Sequence, residues 1–363
     1  MSETEIITTG PALERLAARL LGAEAAALDT EFLWERTHYP LLGLLQISTG
    51  LDESWLVDTV QLPDLRALAP VLESPSVVKI LHDAPQDLWI LRRATGALPR
   101  SIFDTRLAAG FAGLSSTCSL QSLLHDALGV DLAKTETQSD WLRRPLTPAQ
   151  LSYAVDDVRH LPELRAALWR RCAGERERAW LRSELAQLDD PVAYDDRDPR
   201  AMYRRVKGGA RLDARGLALL RELAAWRELE ARRRNWPRGF VLSDGALVAL
   251  AQRNPAGPDD LAGVSEMPRR LPGSVAAAIV AAVAKGRALP EADCPVLGPP
   301  LSREARKELK VRSDRLLAHL RAACAAHGID PALAASRGEV EAYLRPRLPD
   351  AADAHPLKSG WRA

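Results

Sequence analysis

Two carboxylates interrupt a segment that otherwise reads as buried strand, and that conflict limits what the chain can be. Leu28-Asp29-Thr30-Glu31-Phe32 follows Ala25, Ala26 and Ala27 and runs into Leu33 and Trp34. Side chains alternate faces along a strand, so Asp29 and Glu31 point the same way and Thr30 the other. Neighbouring like charges repel, and desolvating them adds to the cost. A cation between them relieves both penalties. The pair is therefore a candidate site for a hard, oxygen-ligated divalent ion of the Mg²⁺ or Mn²⁺ kind. Taken alone, D-x-E on a strand also fits an exposed sheet edge.

The chain has 363 residues, enough for two or three domains. Its 47% hydrophobic and 27% charged residues are ordinary for a soluble globular protein. Met1 to Gly10 lacks the basic-then-apolar layout of a signal peptide, and the longest apolar run, Val275 to Ala284, is too short to span a bilayer. A cytoplasmic chain with no membrane segment is expected. Cys118, Cys172, Cys294 and Cys324 lie far apart with no C-x-x-C spacing, which favours free thiols over a disulfide framework or a zinc site.

A net charge of +1 conceals an asymmetry. Residues 1–170 carry 15 Lys and Arg against 22 Asp and Glu, a net −7, while residues 171–363 carry 34 against 26, a net +8. Arg200 to Arg238 alone holds 12 basic and 4 acidic residues. An acidic half beside a basic half suits a metal site to which a polyanion is delivered. Each arginine taken singly also fits a solvated helix face.

Pro11–Leu21 reads as a helix, and Ala25–Phe32, Leu41–Ser48, Trp55–Asp58 and Val77–Leu81 as strands. Pro85–Ala94 reads as a short helix and Ser101–Asp104 as another strand; Cys118–Leu128 and Pro148–Arg170 have helical spacing. This alternation predicts an α/β domain, a mixed sheet flanked by helices, over residues 1–190. Pro191–Arg200, rich in Asp, Pro and Arg, reads as a linker, placed at residues 191–204. Beyond it the pattern is all-helical. An apolar stripe runs from Leu217 to Leu229; Asp244 is the expected N-cap of a helix Gly245–Gln252; Ser274–Lys285 forms another. A Pro-rich break at Leu289–Pro300 separates two small all-α modules, residues 205–292 and 293–363. Ser302 opens a long basic helix to about Ala326, and Ser336 caps a further one.

Further acids fall in defined settings. Asp83 ends a strand and Asp87 lies inside a helix, while Tyr153 and Asp157 stand at i and i+4 on one helix face. Four carboxylates can bind two divalent ions roughly 3.5–4 Å apart, one activating a water for in-line attack on phosphorus and one stabilising the leaving oxygen. A tyrosine one turn from a ligand could hold the attacking water. Individually, Asp87 also fits a solvated helix acid and Tyr153 a half-buried core aromatic.

Taken together, these residues resemble the DEDD 3′–5′ exonucleases of the subgroup with Tyr in the third motif. Asp29 and Glu31 match the first motif, Asp87 the second, and Tyr153 with Asp157 the third; the His version would need His where Ser152 stands. His82 and Asp83 match no ligand of the family, and Asp83 is expected to act as a cap or support. Leu44-Leu45-Gln46-Ile47-Ser48, Phe103-Asp104-Thr105 and Asp140-Trp141-Leu142 with Pro145-Leu146 are similar to one branch of the family, which carries C-terminal HRDC-type domains. The resemblance implies an RNase H-like N-terminal domain followed by two small HRDC-like domains, the second more divergent and ending Ser359-Gly360-Trp361-Arg362.

It also implies a cytoplasmic exoribonuclease that trims tRNA precursors with 3′ extensions, releasing nucleoside 5′-monophosphates. Its two ions, Mg²⁺ or Mn²⁺, would be held by Asp29, Glu31, Asp87 and Asp157, with Tyr153 catalytic beside them. Trimming from a free end needs little base recognition, so affinity is expected from phosphate contacts. The candidates for that grip are Arg204, Arg205, Lys207, Arg232, Arg233 and Arg234, with Trp236 open to stacking and Trp226 read as core. A monomer is expected, since no long apolar stripe is left unassigned. Two alternatives remain at this level. A DNA exonuclease of the same fold lacks an accompanying polymerase or helicase sequence here. A non-catalytic RNA-binding protein would not be expected to keep all four acids and the tyrosine.

Overall fold

The computed structural model describes residues 4–132, 139–172, 174–268, 270–296, 301–345 and 355–363. Six strands form one mixed sheet: β1 (Glu5–Ile7), β2 (Ala25–Leu33), β3 (Leu41–Gly50), β4 (Glu53–Asp58), β5 (Val78–Leu81) and β6 (Ile102–Asp104), in the order β1-β4-β3-β2-β5-β6. β3 and β4 pair antiparallel; β1 with β4, β2 with β5, and β5 with β6 pair parallel.

The alternation of β2 assigns its two faces. Ala26 and Leu28 join a core made with α1 (Gly10–Leu21), α2 (Ala69–Glu73) and α3 (Pro85–Thr95). Ala27 joins the opposite core, made with α4 (Thr105–Phe111), α5 (Leu120–Leu128), α6 (Pro148–Arg159), α7 (Leu161–Arg171) and α8 (Glu175–Gln187). In α1, Leu13, Leu16, Ala17 and Leu20 are all buried, the i, i+3, i+4, i+7 stripe of a core-facing helix. Each such leucine contributes roughly 1.5–3 kcal/mol on full burial.

Several elements differ from the expected pattern. The helical stretch 148–170 is two helices, broken at His160 before Leu161 and Pro162. Pro162 has no N–H to continue the ladder, and its ring excludes the carbonyl four residues back. Strand β1 and helices α4 and α8 escape the sequence pattern; α8 is so rich in charge that its buried Leu181 and Leu185 do not stand out. The expected linker is ordered as two 3₁₀ segments, Pro191–Tyr194 and Pro199–Arg205. Asp190 and Asp198 accept the N–H groups of Val192 and Arg200, and Tyr194, Met202 and Tyr203 are buried. The Asp-Pro pairs cap turns here instead of marking slack chain.

The chain divides into two compact units. One holds Trp34–Leu41 and Asp196–Pro300. Its helices are α9 (Ala214–Arg234), α10 (Arg238–Val241), α11 (Asp244–Arg253) and α12 (Gly273–Arg287). Leu217, Leu220, Leu223 and Ala224 of α9 pack against Leu247, Leu250, Ile279 and Val283, with Trp226 against the same core. The α9 and α12 backbones meet at Gly286, where a Cβ would lie 2.7 Å from the Leu219 Cα. The cap of α11 is Ser243, whose hydroxyl accepts the Ala246 N–H; Asp244 is instead the partner of Arg227 at 2.8 Å. The Pro-rich break runs into residues 297–300, outside those described.

The other unit joins the sheet domain to residues 301–363, including α13 (Arg303–Ala326) and α14 (Arg337–Leu344). Ser302 and Ser336 cap these helices as expected. Of the module read from sequence as 293–363, the described residues from 301 onward thus group with the first domain. Cys324, Ile329 and Ala334 enter the core around α4 and α7, and Asp330 accepts the Ser116 N–H at 2.6 Å. Trp361 meets Phe111 edge-on at 5.2 Å. Arg362 pairs with buried Glu184 and donates to the Leu333 and Ala334 carbonyls at 2.9 and 3.0 Å. Replacing Arg362 with alanine leaves Glu184 without its cation, so a loss of about 3 kcal/mol is expected. Urea unfolding of the full chain measures it; a loss below about 1 kcal/mol would show the tie to be peripheral. All four cysteines are free thiols, and among the described residues no helix is long and apolar enough to cross a membrane.

Candidate active site

β2 runs past its neighbour. Its register with β5 ends at Ala27 opposite Ile80, so Asp29 and Glu31 project beyond the paired segment, on the Ala27 face. Thr30 points to the other face, where its hydroxyl donates to Asp87 Oδ1. One strand therefore presents two acids on one side and fixes a third from the other.

Asp87 stands in the first turn of α3, which a tight turn sets beside the end of β5. Asp83 takes a left-handed φ of 64° in that turn. The buried Asp104 carboxylate accepts the Ala84 N–H at 2.9 Å and the Arg106 N–H at 2.7 Å, tying the start of α3 to the start of α4. Asp83 is not the helix cap, a position held by Ala84 without side-chain capping; it pairs with Arg106. His82 lies with Nδ1 2.9 Å from the Thr105 hydroxyl. Burial and then Arg106 push its pKa down to about 4, so the ring is neutral at physiological pH.

Helix α6 begins with a capping box, the Thr147 hydroxyl accepting from the Gln150 N–H and the Gln150 side-chain Oε1 from the Thr147 N–H. Tyr153 and Asp157 share one face, close enough for each to shift the other's titration. Asp29, Glu31 and Asp157 each present an oxygen, all within 4.8 Å of one another. All donors in the cluster are hard oxygens, the set that hard divalent cations prefer.

The electrostatics record the strain of this packing. Burial, then Asp87, Asp157 and Glu31, hold the Asp29 carboxyl well above its ordinary range. Glu31 rises to about 8 through burial and then Asp157 and Asp87. Asp87 rises to about 7 through burial, opposed by the Thr30 hydrogen bond, and Asp157 rises to about 7 through burial, opposed by that of Tyr153. The Tyr153 phenol is pushed upward by burial and then Asp157, so it stays a donor at neutral pH. At neutral pH such a cluster stays partly protonated unless positive charge is supplied.

Of the five residues that the sequence singled out, the structure brings Asp29, Glu31 and Asp157 together, and Asp87 and Tyr153 stand within electrostatic reach of them. The basic candidates are placed differently. Arg232 is held by Glu228 at 3.0 Å, Arg233 by Glu230 at 2.8 Å, and Arg234 by Glu230 while stacking on Trp236 at 4.9 Å. Arg204 lies over the Tyr203 ring at 5.7 Å, whereas Arg205 and Lys207 are exposed. Trp236 is 44% exposed. Sequence reasoning missed Thr30 and Asp104. The available signals were a hydroxyl on an otherwise apolar strand face and an aspartate at a strand-to-helix junction.

Residues 4–173 match a family model described as 3′–5′ exonuclease, and residues 216–283 match the HRDC domain. The fold and the acidic site define the chain as a 3′–5′ exonuclease with a helical HRDC domain. Ribonuclease D of Desulfotalea psychrophila is 38% identical across 100% of this chain and 96% of its own length. Ribonuclease D of Pseudomonas paraeruginosa is 42% identical across 78% and 75%. The crystal structure of Escherichia coli RNase D, described as an exoribonuclease involved in structured RNA processing, superposes with a TM-score of 0.80 at 30% identity, covering 99% of this chain and 95% of that one. The chain belongs to the ribonuclease D family and is a hydrolase, an exoribonuclease.

Proposed function

We propose that this protein trims the 3′ ends of structured RNA, with 3′-extended tRNA precursors as its main substrates, by two-metal-ion hydrolysis that releases nucleoside 5′-monophosphates. The observation that carries the reading is the convergence of Asp29, Glu31 and Asp157 oxygens within 4.8 Å, with Asp87 acting electrostatically on the same group. Asp29, Glu31, Asp87 and Asp157 would hold two divalent ions, Mg²⁺ or Mn²⁺. When bound, these supply activation of a water and charge stabilisation at phosphorus and the leaving oxygen. Tyr153, kept protonated and one helical turn from Asp157, orients the attacking water through its hydroxyl. Thr30 keeps Asp87 turned toward the cluster.

Substrate grip is assigned to the basic helical part of the chain. Arg205 and Lys207 are exposed, and Trp236 with Arg234 offers a stacking platform. Arg204, Arg232 and Arg233 stand in the same segment, although Glu228 and Glu230 offset part of its charge. In this reading residues 1–190 form the exonuclease domain, 191–204 the junction, 205–292 an HRDC-like domain and 293–363 a second, divergent one, in a cytoplasmic monomer. The relatives named ribonuclease D support an RNA substrate.

The test is a 5′-labelled tRNA precursor with a 3′ extension, incubated with and without Mg²⁺ and resolved by length, beside single-stranded DNA of the same extension. The expected result is Mg²⁺-dependent stepwise shortening of the RNA and little of the DNA. Equal trimming of both would favour the DNA exonuclease reading, and intact RNA would overturn the proposal.

A further inference from the structure

Arg144 lies outside the acid cluster, yet the loop leading into α6 is built around it. Its guanidinium grips Asp58, at the end of β4, as a two-pronged fork, with Nε 2.6 Å from Oδ2 and Nη2 2.7 Å from Oδ1. Nη2 also donates to the Gly43 carbonyl at 2.7 Å, and Nη1 to the Trp141 and Arg143 carbonyls, both at 2.9 Å. The Asp58 side chain is only 4% exposed, so the pair is fixed in a protein interior where its geometry is held tightly.

The loop lies directly on the sheet backbone. A Cβ on Gly43 would come within 2.4 Å of the Trp141 carbonyl oxygen, so only glycine permits this approach. Trp141 is buried with Leu44 and Leu56 of the sheet and Ala154 of α6, and Tyr153 packs against the same group. The Trp141 and Tyr153 rings stand 6.0 Å apart, inclined by 35°. A continuous path therefore runs from the Asp58–Arg144 fork through the Trp141 main chain and indole to the Tyr153 ring, which stands one helical turn from Asp157.

We propose that Arg144 is a positioning residue for hydrolysis: by pinning Trp141 to the sheet it fixes the direction of the Tyr153 hydroxyl. The inference rests on the exonuclease reading and assigns Arg144 no contact with RNA. Lysine keeps the charge but loses the planar fork and most of the five donor contacts.

The full chain has five tyrosines, so labelling with 3-fluorotyrosine gives five fluorine resonances, and Tyr153→Phe assigns the one that matters. In Arg144→Lys that resonance is expected to move while those of Tyr194 and Tyr203 hold. kcat is expected to fall about 10- to 100-fold with KM unchanged. In the Tyr153→Phe background the same substitution should cost little further, because its effect passes through the missing hydroxyl. Asp58→Asn breaks the fork from the other side and should reproduce the pattern, which keeps the test open if Arg144→Lys does not fold. A stationary Tyr153 resonance, a wild-type kcat, or losses that multiply in full would overturn the proposal. If the unsubstituted enzyme trims no RNA, the exonuclease reading falls, and the fluorine resonance still decides the role of Arg144.

Discussion

Asp29→Asn and Asp157→Asn are each expected to reduce Mg²⁺-dependent 3′ trimming by about 10³-fold or more, equivalent to at least about 4 kcal/mol of barrier. The fold should survive and the ion-free protein should melt at the same or a higher temperature. Asparagine keeps the volume of aspartate while removing one member of a set whose burial, and then mutual repulsion, holds the Asp29 and Glu31 pKa values above their ordinary range. This pairing of lost activity with undiminished stability separates a ligand from a packing residue, which would lose both. Single-turnover trimming assays and thermal melts of the same preparations check it. Activity within tenfold of wild type in a folded variant would remove that residue from the metal site.

The second large effect is a pH-dependent stability that a divalent ion reverses. Glu31 is raised from 4.5 to about 8, and Asp87 and Asp157 from 3.8 to about 7. A carboxyl with a raised folded pKa favours the fold while protonated, and that contribution disappears as pH rises toward the folded value. His38, His82 and His160, whose pKa values are lowered, act in the opposite sense, but only below their unfolded value of 6.5. Between about pH 6.5 and 8 the ion-free protein is therefore expected to lose roughly 5 °C in Tm. In the proposed metal site Mg²⁺ would bind the ionised carboxylates, so saturating Mg²⁺ should recover the loss and raise Tm more at pH 8 than at pH 6.5. Scanning calorimetry of chelated and Mg²⁺-loaded samples measures both slopes. An ion-free Tm that rises across this window would contradict the arrangement of the four acids.

The candidate site was legible through local periodicity for Asp29, Glu31, Tyr153 and Asp157, and through the family resemblance for Asp87. Two-residue alternation put Asp29 and Glu31 together, and the i, i+4 relation put Tyr153 over Asp157. The parts that escaped depend on longer reach or weaker signals. Helical spacing persists across Pro162, so the separation of α6 from α7 was hidden in an apparently continuous pattern. Asp190-Pro191 and Asp198-Pro199 look like slack chain until their carboxylates are seen capping turns over buried tyrosines. Arg232 to Arg234 read as a basic patch, yet Glu228 and Glu230 lie within one turn and offset them. No local pattern could announce that Asp330 meets Ser116 or that Arg362 meets Glu184, since those partners lie far apart in sequence.

That last arrangement has a consequence for synthesis. The unit containing the candidate active site is completed by residues 301–363, but residues 196–300 must be made first. At about 5–20 residues per second, those hundred or so residues delay completion by roughly 5–20 s. During that interval the emerging sheet domain leaves bare the apolar ground around Phe111, Leu181 and Leu185, to which Cys324, Ile329 and Trp361 later attach. The nascent chain is most vulnerable to aggregation then, and a chaperone that shields this surface would act before the Arg362–Glu184 clasp closes.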